Sequence, residues 1–172
     1  MKVILVCAVT IDGKIARHSQ ERVTWNSEGD KRFFAKEVKR HPVVIMGRKT
    51  YEAHRGVLRG GRLYVVLSRR AHAQNSRKGH IEWYSGSARE LVSILSGRGF
   101  SSAMVAGGSE VNRLFLAEGC VDELYITVEP RIFGEGIPLA AGFGVDMPLQ
   151  FVSGTPLAGG SMLLRFIVPK EK

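Results

Sequence analysis

The sequence predicts an α/β domain built on one mostly parallel sheet with an antiparallel C-terminal edge. Three observations carry that expectation. Short apolar runs alternate with segments of helical spacing along the 172 residues. The runs are apolar at consecutive positions, which is the pattern of strands buried on both faces. The last two strand-like runs are joined by Ala158-Gly159-Gly160, a short turn suited to an antiparallel pair.

Taken in order, Lys2 to Val9 reads as a buried strand and Thr10 to Trp25 as a polar loop carrying Asp12-Gly13. Ser27 to Lys39 reads as a helix. Val43 to Met46 is a second buried strand, followed after Gly47 by a short helix. Gly60-Gly61 turns the chain into Leu63 to Leu67, and Ile81 to Tyr84 is a short strand. Ser87 to Leu95 is a helix ended near Gly97 and Gly99. Ala103 to Ala106 is a strand that stops at Gly107-Gly108. Ser109 then starts a helix with Val111, Leu114 and Phe115 at helical spacing, and Gly119 stops it. Leu124 to Val128 is a strand. A Gly- and Pro-rich connection leads to the terminal pair, Gln150 to Gly154 and Ser161 to Val168.

Length and composition fit one domain over 1–172 with a core of its own. No apolar run approaches a membrane span, and the N-terminus lacks the features of a signal peptide, so a cytoplasmic location is expected. Cys7 and Cys120 stand far apart, with no partner at metal-ligand spacing. His18, His41, His54, His72 and His80 show no such spacing either, so neither metal catalysis nor a Ser-His-Asp triad has support. The net charge of +9 suits an anionic small molecule or nucleic acid. The cations are spread out, with small clusters at Arg69-Arg70 and Arg77-Lys78. No basic tail or aromatic RNA-binding motif accompanies them, so a nucleic-acid partner is disfavoured.

In such sheets ligands bind beyond the carboxyl ends of the strands. Three of those ends carry candidate chemistry. In Val43-Val44-Ile45-Met46-Gly47-Arg48-Lys49-Thr50-Tyr51-Glu52 an apolar run meets a glycine, two cations and a hydroxyl at a helix start. Unpaired N–H groups and the positive dipole end there suit an anion. Gly107-Gly108-Ser109-Glu110 is a second glycine-containing helix start, where Ser109 is placed to cap the helix. No GxGxxG fingerprint occurs, so this is not an ordinary Rossmann site; two such starts instead suggest a clamp around a diphosphate. Leu67-Ser68-Arg69-Arg70 sets a hydroxyl beside guanidiniums and suits a phosphate monoester such as the 2′-phosphate of NADPH.

Asp30 has two readings. Ser27-Glu28-Gly29-Asp30 is a capping box. Asp30 also shares helical spacing with Phe33, Phe34 and Val38, which puts a carboxylate on the inward face. Burial makes its charge costly without a partner, and a 2-amino-4-oxopyrimidine edge supplies two matched donors. Trp25 and Phe34 can wall an aromatic pocket, and Arg62 can bind a carboxylate.

These residues resemble the dihydrofolate reductase family over most of the chain. Val43 to Glu52 is similar to its cofactor segment, and Trp25-Asn26 with Asp30 to its Trp-Asn and active-site acid. The resemblance implies a three-layer fold with helices on both faces of the sheet. It implies NADPH as cofactor, held by Ala8, Ile15, Gly47, Arg48, Lys49, Thr50, Leu67, Ser68, Arg69, Ala106, Gly107, Gly108, Ser109, Glu110 and Val111. It implies substrate contacts from Val6, Cys7, Ala8, Trp25, Phe34, Arg62 and Thr127, with Asp30 as the catalytic acid oriented by Thr127. The implied reaction is reduction of dihydrofolate to tetrahydrofolate.

A second relative shares that fold, the pyrimidine reductase domain of riboflavin biosynthesis. Asp12 to Ala16, Gly107 to Asn112, Val121-Asp122-Glu123-Leu124 through Pro130, and Gly134-Glu135-Gly136 look more like that family. It implies a ribosylamino-pyrimidine phosphate as substrate, held by Lys14 and Asn112. Asn112, Ala16 and Lys31 depart from the folate pattern, whereas Asp30, Trp25 and Arg62 fit it and the Asp-Asp-Pro segment usual in pyrimidine reductases is absent. Folate enzymes are often monomers and pyrimidine reductases dimers, so both states remain open.

Overall fold

β1 (Lys2–Thr10) occupies the middle of the sheet because its side chains are apolar on both faces. In the computed structural model, which describes residues 1–54, 58, 60–69, 80–144 and 146–170, the chain continues through β2 (Lys14–Ala16), α1 (Glu28–Arg40), β3 (Val43–Gly47), α2 (Arg48–His54), β4 (Leu63–Leu67) and β5 (Ile81–Tyr84). It then forms α3 (Ala88–Gly97), β6 (Ser102–Val105), α4 (Ser109–Ala117), β7 (Glu123–Glu129), β8 (Ile137–Pro138), β9 (Gln150–Pro156) and β10 (Met162–Ile167). Arg70, His72 and the Arg77-Lys78 cluster lie outside the described residues.

The main sheet has eight strands in the order β5-β4-β3-β6-β1-β7-β10-β9. β1, β3, β4, β5, β6 and β7 pair in parallel, and β10 runs antiparallel to both β7 and β9. Alternation along each strand divides the core in two. Val3, Leu5, Val43, Ile45, Leu63 and Val65 pack with Leu91 and Leu95 of α3 and with Val111 and Phe115 of α4. Ile4, Val6 and Met104 pack with Phe33 of α1, and Val44, Met46, Tyr64 and Val66 with Tyr51 of α2. Helices therefore cover both faces, giving the three-layer, mostly parallel α/β architecture expected from the sequence. A one-residue slip of β1 would exchange these two sets of side chains, and burial of each aliphatic contributes about 1.5–3 kcal/mol.

Two segments depart from the sequence reading. The Thr10 to Trp25 stretch is not all loop, because Lys14–Ala16 pairs antiparallel with Ile137–Pro138 from the long Gly- and Pro-rich connection. Each strand is two or three residues long, too short for a local pattern, and each exists only through the other. Asp12 fixes this joint: its carboxylate accepts from Thr10 Oγ1 at 2.6 Å, Phe133 N at 3.2 Å and Gly134 N at 2.8 Å.

The β9–β10 turn lands on the first turn of α1. Gly29 N donates to Ala158 O at 3.1 Å, and a Cβ on Gly29 would lie 2.4 Å from that oxygen and 2.8 Å from Leu157 Cβ. No rotamer change relieves a clash with backbone, so only glycine fits. Gly29→Ala should lower stability by about 2–3 kcal/mol in urea denaturation. Gly97→Ala, with nothing within 4 Å of its Cβ, should be neutral or slightly stabilising. Equal effects of the two would contradict the packing described.

Candidate functional site

Parallel pairing lines up the strand ends that the sequence marks as chemical. Gly47 is in register with Leu67, and Ala8 with Thr127. β4, β3, β6, β1 and β7 are consecutive in the sheet, so their carboxyl ends form one continuous rim.

On the cofactor side, the two glycine turns are bonded to each other. Gly47 N donates to Gly107 O at 2.9 Å, and Ala106 N to Ile45 O at 2.8 Å. Gly107 has φ +86, a conformation that favours glycine, and the Gly107–Gly108 peptide is cis. A Cβ on Gly47 would approach Val111 Cγ2 at 3.2 Å, and one on Gly108 would lie 3.9 Å from Thr50 Oγ1. Gly47, Thr50, Gly107, Gly108 and Val111 are thus assembled in one place, and Ile15 packs against the same core cluster as Val111.

The charged members are arranged less simply than the sequence suggests. Arg48 is engaged by both oxygens of Glu52, at 2.8 and 2.9 Å, one helical turn on. Lys49 is exposed. Arg69 pairs with Glu110 at 3.2 Å, which brings the Leu67-Ser68-Arg69 strand end to the start of α4. Ser109 does not cap α4. Its N-cap is Gly108, with no side-chain bond, and the Ser109 hydroxyl donates to Pro138 O and accepts from Ala141 N, both at 2.7 Å. Ser109 is one residue too late for the cap, and a distant backbone segment takes its hydroxyl. The first N–H groups of α4 are consequently left without a side-chain cap.

On the other side of the rim, Asp30 is 3% exposed. Asn26 Nδ2 donates to its Oδ2 at 2.7 Å. That is the orienting bond the resemblance assigned to Thr127. Thr127 is buried beside Ala8, but among the described residues it makes no hydrogen bond to Asp30. Val6 and the partly buried Phe34 share the α1-side cluster. Cys7 points the other way, because alternation sends it to the α3–α4 face. It therefore leaves Asp30's face to Val6 and Ala8. Burial first and the charge of Asp30 second push the Cys7 thiol up to about 12, with a bond to Asn112 offsetting part of the rise.

Trp25 is buried edge-on to Phe133, with centroids 5.1 Å apart. With Asn26, Ser27, Glu129 and Arg131 it lines a cavity of about 500 Å³. Arg62 stands apart. It precedes β4, at the opposite end of the sheet, where its guanidinium donates to the Val38 carbonyl in the last turns of α1. Asp30 and Val38 are eight residues apart, about 12 Å along a helix axis. Only an extended ligand lying along α1 reaches both Asp30 and Arg62.

Asn112 is fully buried and its amide donates to Leu139 O at 2.9 Å. It holds the β8 connection rather than facing solvent. Lys14 is half-buried on β2. Asn26 and Glu129 received no role from the sequence. A signal existed for Asn26, four residues before the acid. None existed for Glu129, which meets Ser27 across 102 positions. Among the described residues no group of three or more His, Cys, Asp or Glu is placed to hold a metal, and no helix is long and apolar enough to cross a membrane.

Residues 1–163 match the model of the RibD C-terminal domain. The chain belongs to that family. It is 30% identical over 178 residues to the uncharacterized protein YwjB of Bacillus subtilis, covering 96% of this chain and 97% of the relative. Among solved structures, a diaminohydroxyphosphoribosylaminopyrimidine deaminase/5-amino-6-(5-phosphoribosylamino)uracil reductase of Thermotoga maritima superposes with a TM-score of 0.78 at 21% identity, covering 98% of this chain and 56% of that one. A dihydrofolate reductase of Enterococcus faecalis, complexed with NADP(H), gives 0.75 at 17% identity over 98% of this chain and 97% of that one. Both share the fold of this RibD C-terminal domain.

Two outcomes follow for this domain. With its thiol at about 12, Cys7 should resist an aromatic disulfide reagent at pH 8 in the native state and react once urea exposes it; rapid native labelling of Cys7 would contradict the burial. The bond from Thr10 holds the Asp12 carboxyl below its ordinary 3.8, against desolvation and with help from the Phe133 and Gly134 N–H groups. A depressed carboxylate stabilises the fold above its unfolded pKa, and that contribution is lost as pH falls from 3.8 through the folded value. The Phe133 and Gly134 amide resonances should therefore titrate with a midpoint below 3.8; a higher midpoint would break the tie between Asp12 and the β8 joint.

Proposed function

We propose that this chain is an NADPH-dependent reductase of a small amino-oxo-pyrimidine compound, and that its substrate is the ribosylamino-pyrimidine phosphate of riboflavin biosynthesis. The observation that carries the reading is the pairing of a buried carboxylate, Asp30, with a double glycine turn on the same rim. The family match over residues 1–163 favours the riboflavin-pathway substrate.

The glycine turns fit the cofactor. A diphosphate needs close backbone approach and uncapped N–H groups, and Gly47, Gly107, Gly108 and the start of α4 supply both. Thr50 would add a hydroxyl and Lys49 positive charge for the phosphates, and Arg69 would add its own on leaving Glu110. NADPH would supply the hydride. Val6, Ala8 and Phe34 would hold the substrate against the rim, and Asp30, steadied by Asn26, would accept hydrogen bonds from its amino and ring N–H groups. A ribosylamine opens to an imine; hydride adds at its C=N carbon and the nitrogen takes a proton from water. Lys14 remains as a phosphate ligand, whereas Asn112 would act indirectly by fixing β8.

Dihydrofolate is the second reading, and a specific observation favours it. Asp30 and Arg62 mark the two ends of α1, a span that suits a ring at one end and a carboxylate at the other. Arg62 can serve both Val38 and a ligand, because a guanidinium has five donors.

NADPH oxidation followed with each compound separates the readings. Turnover with the ribosylamino-pyrimidine phosphate and little with dihydrofolate is expected; the reverse would move the assignment to folate, and no oxidation with either would sink both. Asp30→Asn should lower turnover about 100-fold or more at neutral pH while leaving NADPH affinity nearly intact. A fully active variant would remove Asp30 from the site.

A further inference from the structure

Ser27 and Asp30 stand at the N-cap and third positions of α1, the spacing of a capping box. In that motif two bonds form. The N-cap hydroxyl accepts from the third N–H, and the acid at the third position accepts from the N-cap N–H. Only the first is present here: Asp30 N donates to Ser27 Oγ at 3.1 Å. The second has been given to another residue. Ser27 N donates to Glu129 Oε1 at 2.9 Å, and Ser27 Oγ donates to the same oxygen at 2.8 Å. Because the single Ser27 hydroxyl proton is committed to Glu129, the 2.8 Å contact between Ser27 Oγ and Ser161 Oγ has Ser161 as donor.

Glu129 is 2% exposed, and its position is over-determined. β7 fixes its backbone, and the β9–β10 turn packs on Ser27 so closely that a Cβ on Gly159 would lie 2.8 Å from Ser27 Cβ. A carboxylate has been buried in order to bond an N–H that a neighbouring carboxylate, Asp30, was placed to take. The consequence falls on Asp30, which turns to Asn26 instead.

We propose that Glu129 is a positioning residue: by occupying the N–H of Ser27 it keeps Asp30 out of the capping box and directs its carboxylate to the substrate. The proposal rests on the reading of Asp30 as the substrate-binding acid. Without Glu129 the Ser27 N–H is orphaned and recruits Asp30, so the substrate meets a site whose competent conformation is a minor one. Apparent affinity falls by that fraction. The cofactor residues lie on other strand ends and are unaffected.

The test uses the full chain with Glu129→Gln, Glu129→Ala and Glu129→Asp. Gln keeps an acceptor at the same reach. Asp keeps the charge but withdraws it by about 1.5 Å, one carbon–carbon bond, and so covers the case in which the Ala variant does not fold. The substrate KM should rise tenfold or more in the Ala and Asp variants, with kcat within threefold, NADPH affinity within twofold, and near-wild-type behaviour restored by Gln. The carboxyl carbon resonance of Asp30, assigned with Asp30→Asn, should move in Ala and Asp and stay in Gln. An unmoved resonance in Ala and Asp, or a fall in kcat with KM unchanged, overturns the proposal. If the wild-type chain reduces neither compound, the proposed function fails, and the resonance still decides whether Glu129 sets the orientation of Asp30.

Discussion

Burial of β1 on both faces is the constraint on which the rest of the molecule depends. A strand with apolar side chains at consecutive positions cannot sit at an edge, so β6 and β7 must flank it and helices must cover each side. Parallel pairing then brings the ends of β4, β3, β6, β1 and β7 onto one rim. The site is a consequence of that alignment, since no two of its glycine turns or acids are neighbours in sequence. The same alternation separates Val6, on Asp30's side, from Cys7, which faces α4.

The rim is divided between two kinds of chemistry. Around Gly47 and Gly107 the proposed recognition surface is the backbone itself, and the bond between the two turns fixes their spacing. Around Asp30 the proposed recognition depends on a side chain held by residues outside the helix that bears it. Asn26 bonds the Asp30 carboxylate directly, and Glu129 of β7 and Ser161 of the β9–β10 turn bond the Ser27 cap beside it. A buried carboxylate of this kind is costly unless hydrogen-bonded, so the chain invests several polar groups in one acid.

What was legible in the sequence follows from the range of the forces involved. The six parallel strands and four helices were readable because apolar runs, Ser27 and the glycine stops act locally. The rim was readable because parallel sheets have one rule for ligands, and Gly47, Gly107 and Asp30 carry recognisable chemistry. β2 and β8 were not readable, because each is stabilised only by the other. The cap expected of Ser109 falls one position earlier, on Gly108, since the Ser109 hydroxyl answers to Pro138 and Ala141 rather than to its own helix. Glu129 meets Ser27 from 102 positions away in sequence, which no local pattern records.

We propose that the joined glycine turns and Asp30 serve two halves of one ligand-binding rim. Amide and carboxyl NMR during titration with NADP⁺, and then with substrate, tests it most directly. The predicted result is that NADP⁺ moves the amides of Gly47, Gly107, Gly108 and the first turn of α4, and that substrate then moves the Asp30 carboxyl. Saturable NADP⁺ binding that leaves all four of those positions unchanged would contradict it.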